Sequence, residues 1–556
     1  MSGLNTPLWG YIIVVAAVVV AYGPALDNEF TYDDRGLVLG DQRVSEADWR
    51  SIVGQSYWGD AGDGLYRPLT TASLALNWGL GKDQPWSYHL INMLLHALAA
   101  GMVVYAVSLL YEMRMGVVAG LLFALQPGPS EAVFSIVGRA EILACCLGLG
   151  AIICGLSARE KGGLWRWGCV FGCLVGSMLA KENGMAFAAG LLVWEMAAER
   201  RIRTMGAIAL AAMVCAVGVK WWAIGMLVPA GIGYLDNPLA YGTDAMRFAH
   251  GFGLLARALV KMIFPWPLVA DYSPQQIPLY NQWWTGEIVW PLVFVVHLAA
   301  CTMVLMRNEA RWCLWLGISA GAMLATSNIL VTTGTIFAER LLYIPAAGLS
   351  VALAWCWGKM AECQRRVGLA IWMIVAMGML WDRAAAWRDD QALFKSVVDK
   401  HPLSARGHYG LGLALQRQGD APRAIASYKR ATALYPRYLE AEYNRAAALV
   451  EVGDFRAAAE GYRRVVELRP NHINARHALA LLELEFGAVE RGEAQLRKLH
   501  RERERDVGIL RSLVDFLLRS GRSAEARDLV AERLEADGQN SQLREILALI
   551  NAQPPP

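Results

Sequence analysis

Tyr11-Ile-Ile-Val-Val-Ala-Ala-Val-Val-Val-Ala-Tyr22 runs on through Gly-Pro-Ala-Leu-Asp27-Asn-Glu-Phe30-Thr-Tyr32 into Asp33-Asp34-Arg35. The apolar run carries no charge. It is followed by acidic residues rather than by a small-residue cleavage site and a long polar domain, so it reads as a retained membrane span. Composition supports that reading for the chain at large. Of 556 residues, 55% are hydrophobic and 18% charged, and mean hydropathy is +0.31, too apolar for an ordinary soluble chain. A net charge of +3 provides no broad basic surface, which argues against nucleic acid as a partner. The ten cysteines lie in or beside apolar segments, form no CxxC pair and join no histidine cluster. They read as small buried hydrophobes rather than as a disulfide framework or a zinc site.

Further apolar stretches fall near 88 to 112, 115 to 126, 132 to 157, 167 to 180, 184 to 198, 204 to 228, 288 to 306, 311 to 328, 341 to 359 and 367 to 383. Several are shorter than the ~20 residues of a spanning helix, so their ends must extend into flanking polar sequence. Basic residues recur after alternate spans: Arg114, then Arg159, Lys161 and Arg166, then Arg200, Arg201 and Arg203, then Arg307 and Arg311, then Lys359, Arg365 and Arg366. These loops are expected to be cytoplasmic. Segment 250 to 268, with Arg257, Lys261, Pro265 and Pro267, breaks the alternation and suits a re-entrant or interfacial helix. About 11 spans result. The long loop 27 to 87, the loop 126 to 131, segment 229 to 287 and the loop 329 to 340 then share the non-cytoplasmic face.

After Arg383 the composition changes. Gly419, Gly453, Gly487 and Gly521 recur every 34 residues, as do Pro402, Pro436 and Pro470. That is the tetratricopeptide period. Tyr409 with Tyr443, Ala424 with Ala458, and Tyr428 with Tyr462 keep the same register, so helix pairs must stack to bury these faces. The later repeats, around Glu490 and Glu493, are degenerate, and Pro554 to Pro556 read as a disordered tail. The expected fold is all-α. A polytopic bundle over 1 to 383 precedes a repeat solenoid over 384 to 556, which lies on the non-cytoplasmic side.

Several polar constellations interrupt the apolar sequence. Asp33 and Asp34 stand just beyond the first span, where one carboxylate can take a proton from a hydroxyl while the other orients it or holds a cation; caps and turns use the same residue type. Tyr66-Arg67-Pro68-Leu69 follows. His89, Asn92 and His96 then share one helix face, a pattern that serves interhelical hydrogen bonding as well as ligand binding. Glu131, Arg139 and Glu141 enter an otherwise apolar span. Lys181-Glu182-Asn183 and Glu339-Arg340-Leu-Leu-Tyr343 repeat the arrangement. Ionisable groups in such places are costly and are usually paired or functional. Arg139, Lys181 and Arg340 are suited to holding a phosphate, the arginines by a bidentate fork.

Taken in order, these motifs resemble the transmembrane and tetratricopeptide repeat containing O-mannosyltransferases, members of the C-type glycosyltransferase superfamily. The resemblance rests on Tyr32-Asp-Asp-Arg35, Tyr66-Arg-Pro-Leu-Thr70, His89-Leu-Ile-Asn-Met-Leu-Leu-His96, Glu131-Ala-Val with Ile136-Val-Gly-Arg139, Lys181-Glu182, Asp236-Asn-Pro-Leu239, Ala270-Asp-Tyr-Ser273 and Ala338-Glu-Arg-Leu-Leu-Tyr343. It implies sugar transfer from a polyprenyl-phosphate donor to Ser or Thr hydroxyls of an acceptor protein on the external face. It also implies a first-loop acid as base, with Asp33 ahead of Asp34 and Glu131 as the second-loop acid. Arg139, Lys181 and Arg340 fall where the donor phosphate is expected. Tyr66, Arg67, His89, Glu141, Glu182, Glu339 and Tyr343 complete the expected substrate-binding set. Gln126 stands where a His is usual, and Glu141 replaces an Asp after Arg139, which bears on the sugar and the donor contacts. The pattern requires no cofactor, assigns no metal ligands, and leaves room for a divalent cation.

A rival reading is a membrane-anchored scaffold that uses its repeats to organise an envelope complex. External charged clusters in an apolar bundle weigh against it. A transporter would place its charges at the midplane of inverted repeats. No Asn-x-Ser/Thr acceptor occurs and the repeats lack Cys. The expected setting is therefore a bacterial inner membrane with the repeats in the periplasm, the alternative being an endoplasmic-reticulum membrane with lumenal repeats.

Overall fold

A computed structural model describes residues 8–552 apart from 60–63, 229–230, 273, 275, 278, 280–288, 290, 293–294, 296–308, 487 and 538. The apolar stretch 288 to 306, together with Cys301, Arg307, Ser273, Gly487 and the tail Pro554 to Pro556, falls largely or wholly outside the described residues. The chain is helical, with an isolated bridge between Ser56 and Gly59 among the described residues. It divides into two compact units, Met1–Ser404 and Ala405–Pro556.

In the first unit, six helices among the described residues are long and apolar enough to cross a bilayer: Leu8–Asp27, Pro85–Leu110, Arg139–Lys161, Thr204–Ile224, Glu339–Gly358 and Glu362–Ala386. Met113–Ala124 and Gly128–Phe134, bent by 60°, form a seventh if counted as one span. This is an integral membrane protein. A count of eleven requires shorter helices such as Leu164–Ala180, Met185–Glu199 and Arg311–Thr326 to cross as well. Helix Asp244–Ile263 is absent from the six because Asp244, Arg247, Arg257 and Lys261 interrupt it.

Helix starts follow from local chemistry. Pro68 and Pro85 open their helices at the position where no amide hydrogen is needed. Asp389 caps Asp390–Lys400 by accepting from the Ala392 amide at 2.8 Å. Between spans, small residues set the spacing. Gly116 and Gly120 in Met113–Ala124 lie against Val104 of Pro85–Leu110, where a Cβ on Gly116 would stand 2.6 Å from the Val104 carbonyl oxygen. Such one-turn small-residue spacing lets helix backbones approach where lipid supplies no hydrophobic drive. Cys145, Cys146 and Cys313 are buried, whereas Cys356 and Cys363 are exposed, contrary to the expectation of burial.

The second unit is a run of helix pairs from Ala405–Arg417 to Ser541–Ala552. Its periodic glycines have a backbone reason: Gly419, Gly453 and Gly521 adopt φ of +81°, +80° and +73°, the left-handed region that ends each first helix. Asp420 and Asp454 then cap the second helices. Gly412 gives room to the fully buried Tyr428, whose ring would lie 2.6 Å from an added Cβ.

Candidate active site

The first loop leaves its span through a 3-10 turn, Gly23–Asp27, and reaches the paired acids at a strained turn. Tyr32 has φ +52°, a left-handed conformation costly for a tyrosine. The two acids then part company. Asp34 is completely buried. Its Oδ1 accepts from the Val137 amide at 2.9 Å and the Ser135 hydroxyl at 3.4 Å, and its Oδ2 accepts from the Thr31 amide at 3.3 Å. It therefore bolts the first loop to the turn before helix Arg139–Lys161. Asp33, half-buried, keeps partial access to solvent.

Burial raises the Asp34 carboxyl to about 7, against the lowering pull of the Val137, Ile136 and Thr31 amides. The fold thus holds this proton more tightly than the unfolded chain does. Its contribution to stability is complete below the unfolded value near 4 and is lost as pH rises through 7. The unfolding temperature of the wild type is expected to fall between pH 5 and pH 8 relative to Asp34→Asn, which carries no ionisable group there. Parallel melting curves for the two proteins would refute this.

Beyond the first loop, Arg340, Lys181 and Arg67 each sit in an ion pair, and Lys181 feels the fields of the other two. Glu131, fully buried, accepts from Arg340 Nη1 at 2.6 Å and from the Arg340 amide at 3.1 Å, leaving Nε and Nη2 outside that pair on a side chain 22% exposed. Asp33 lies within electrostatic range of Arg340. Glu141 pairs with Lys181 Nζ at 2.6 Å and accepts from Asn183 at 2.9 Å. Burial pushes Lys181 down to about 8; Glu141 opposes this, and the fields of Arg67 and Arg340 add to it. Three cations therefore share one neighbourhood. Arg67 Nε bonds Glu182 Oε2 at 3.0 Å, and the Tyr66 amide bonds Oε1 at 3.1 Å. Burial alone would raise Glu182, but Arg67 beside it brings the carboxyl below its ordinary range.

Other expected site residues are placed away from any open surface. Arg139 is fully buried, donating to Asn92 Oδ1 at 2.7 Å, Asn77 Oδ1 at 2.8 Å, Tyr88 O at 3.1 Å and Ser73 O at 3.2 Å. In that placement it presents no surface to a phosphate and ties helices together. Glu339 accepts from Arg383 Nη2 at 2.6 Å, the Tyr272 hydroxyl at 2.6 Å and the Val269 amide at 2.8 Å. Tyr343 donates to His96 Nδ1 at 2.7 Å, since His96 Nε2 must donate to the Ala124 carbonyl at 3.0 Å. His89 is buried in the same helix. Gln126 donates to the Met262 carbonyl, which fastens the second loop to the end of helix Asp244–Ile263. Among the described residues, no group of three His, Cys, Asp or Glu is arranged to hold a metal ion.

The sequence reading missed three contributors. Tyr57 stacks its ring under Arg67 at 4.8 Å, and its buried hydroxyl has no hydrogen-bond partner among the described residues. Burial raises that hydroxyl to about 12, within the fields of Arg67, Asp33 and Arg340. Arg383 and Asp390 come from the last span and the helix after it. The Asp389-Asp390 pair, placed much like Asp33-Asp34 just past a span, was the available signal.

Fold and site together define a helical integral membrane protein with buried charge pairs and a tetratricopeptide region. Residues 387–438 match the tetratricopeptide repeat family. Along most of its length the chain is similar to a protein O-mannosyl-transferase of Caenorhabditis elegans, 26% identical over 454 residues covering 79% of this chain and 64% of that protein. It is also similar to human protein O-mannosyl-transferase TMTC4, 24% identical over 502 residues covering 77% and 66%. The chain spans just under two thirds of the length of these relatives. A crystal structure of ArnT from Cupriavidus metallidurans bound to undecaprenyl phosphate aligns at a TM-score of 0.43 and 14% identity, covering 82% of this chain and 80% of that one.

Proposed function

We propose that the chain is a membrane glycosyltransferase of the C type that moves a hexose, mannose by its resemblance, from a polyprenyl-phosphate carrier to Ser or Thr hydroxyls of proteins. The observation that carries this reading is a half-buried acid, Asp33, within electrostatic range of Arg340, whose field also reaches Lys181 beside Arg67. The relatives named above support it as distant homologues. Asp33 takes the acceptor hydroxyl's proton as that oxygen attacks the anomeric carbon. The bond from the anomeric carbon to the phosphate oxygen breaks, and its electron pair leaves with the lipid phosphate. Arg340, with Arg67 and Lys181, offsets the charge that appears there. Attack from the face opposite the phosphate inverts the anomeric centre.

In this reading the other acids do not meet the sugar. Glu131 aims Arg340, Glu141 holds Lys181, Glu182 holds Arg67, and Asp34 fixes the loop. The repeats recruit the acceptor polypeptide, and both functions face the periplasm or an equivalent external compartment. The test is incubation of the purified chain with radiolabelled polyprenyl-phosphate hexoses and a Ser/Thr-rich polypeptide. Labelled protein that releases sugar by β-elimination is the expected result. No label with any donor would favour the scaffold.

A further inference from the structure

The strained turn that carries Asp33 is held by a residue far along the chain. Asp390 opens the helix Asp390–Lys400, and its Oδ1 accepts from the Tyr32 amide at 2.8 Å. Its Oδ2 accepts from Arg35 Nε at 2.7 Å. One carboxylate thus brackets Asp33 and Asp34 from both sides. Phe394, one turn further along the helix, meets the Tyr32 ring edge-on at a centroid distance of 5.5 Å. The Glu29 amide donates to the Arg388 carbonyl at 2.8 Å, and Asn28 Nδ2 donates to the Ala384 carbonyl at 3.3 Å. The segment from Ala384 to Phe394 therefore grips the first loop along its whole approach to the acids.

Why such a grip is needed follows from the backbone. A tyrosine at φ +52° returns readily to the extended region unless its amide and ring are both engaged. That return would swing the next residue, Asp33, while Asp34 stayed bolted to Val137. The Asp390 carboxylate is buried and charge-assisted on both oxygens, so the hold is strong and directional. We propose that Asp390 is the positioning residue for the first-loop acid. It sets the aim of Asp33 through the Tyr32 turn, and so makes the helix ahead of the repeat unit part of the catalytic apparatus. This rests on the function proposed above, because it is the aim of Asp33 that the clamp controls.

The test has two readouts on the full chain in detergent: hydrogen exchange of the peptide containing Tyr32 to Arg35, and steady-state transfer from a polyprenyl-phosphate hexose. Asp390→Ala is expected to speed exchange in that peptide and to lower kcat by about 10²-fold with the donor KM little changed. Tyr32→Gly placed in the Asp390→Ala background is expected to recover about tenfold, because glycine adopts the left-handed turn without help. A merely structural loss would not be rescued that way. Asp390→Asn keeps an acceptor for the Tyr32 amide and loses the charge opposite Arg35. It should show a smaller effect in the same direction, and it carries the test if the alanine variant does not fold. Lys395→Ala, exposed on the same helix, should change neither readout. Unchanged exchange in Asp390→Ala, or faster exchange with kcat within twofold of wild type, overturns the proposal. A wild type that transfers no sugar overturns the proposed activity instead, and the exchange measurement then tests the clamp alone.

Discussion

Asp33→Asn is expected to lower sugar transfer by about 10²–10⁴-fold, the range for removal of a general base, while the protein still inserts and melts like the wild type. An amide cannot accept the hydroxyl proton at neutral pH, and the exchange removes little volume from a half-buried position. The same change at Asp34 should act on stability instead. Asp34 is fully buried, with the amides of Val137 and Thr31 directed at its oxygens, so an Asn there sets one amide donor against others. Transfer rates and melting temperatures of the two variants, measured side by side, separate chemistry from support. Full activity in Asp33→Asn would move the base elsewhere.

Arg383→Met is expected to cost about 3–5 kcal/mol, because it removes one partner of a buried ion pair and strands the other. Arg383 and Glu339 are both almost wholly inaccessible, and Glu339 also accepts from Tyr272 and Val269. Adding Glu339→Gln should recover most of the loss, since glutamine still accepts those two hydrogen bonds without an unpaired charge. Thermal unfolding of the single and double variants in detergent measures both effects. Equal destabilisation of the two would mean that packing of the guanidinium, over Trp387 at 5.7 Å, matters more than its charge. Transfer by the double variant decides a second question. Activity near wild type would make Glu339 structural, against its expected place in the substrate-binding set.

What could be read from the sequence was whatever is decided locally. The 34-residue spacing was legible because a left-handed turn after each first repeat helix admits glycine and little else, as Gly419, Gly453 and Gly521 show. The longest spans were legible because bilayer thickness imposes a length. Helices such as Leu164–Ala180, 17 residues long, escape that rule and leave the span count open. Partners were not legible. Glu131 and Arg340 stand 209 residues apart, and nothing near either names the other. Nor did residue type or spacing tell Asp33 from Asp34; only the resemblance put Asp33 first. Adjacent, identical in type and equally placed in the sequence, they differ only because Ser135 to Val137 folds back over one of them. Arg139 shows the same limit: a cation in an apolar span suggested a phosphate, and nothing beside it in the sequence names Asn77 and Asn92, the residues on neighbouring helices that it bonds.

The union of the first loop with the segment after the last span also imposes a timetable on biogenesis. Tyr32 and Asp390 are 358 positions apart, and Val20 and Trp381, whose indole donates to the Val20 carbonyl, are 361 apart. A ribosome adding roughly 5–20 residues per second needs on the order of 20–70 s to cover that distance. Throughout that interval the earliest span sits in the bilayer without its latest neighbour, and the tyrosine turn has nothing to hold it. Closure of the bundle is therefore a late event. An insertion fault in the final span would yield chains that are anchored and mostly helical, yet have never assembled their reactive loop.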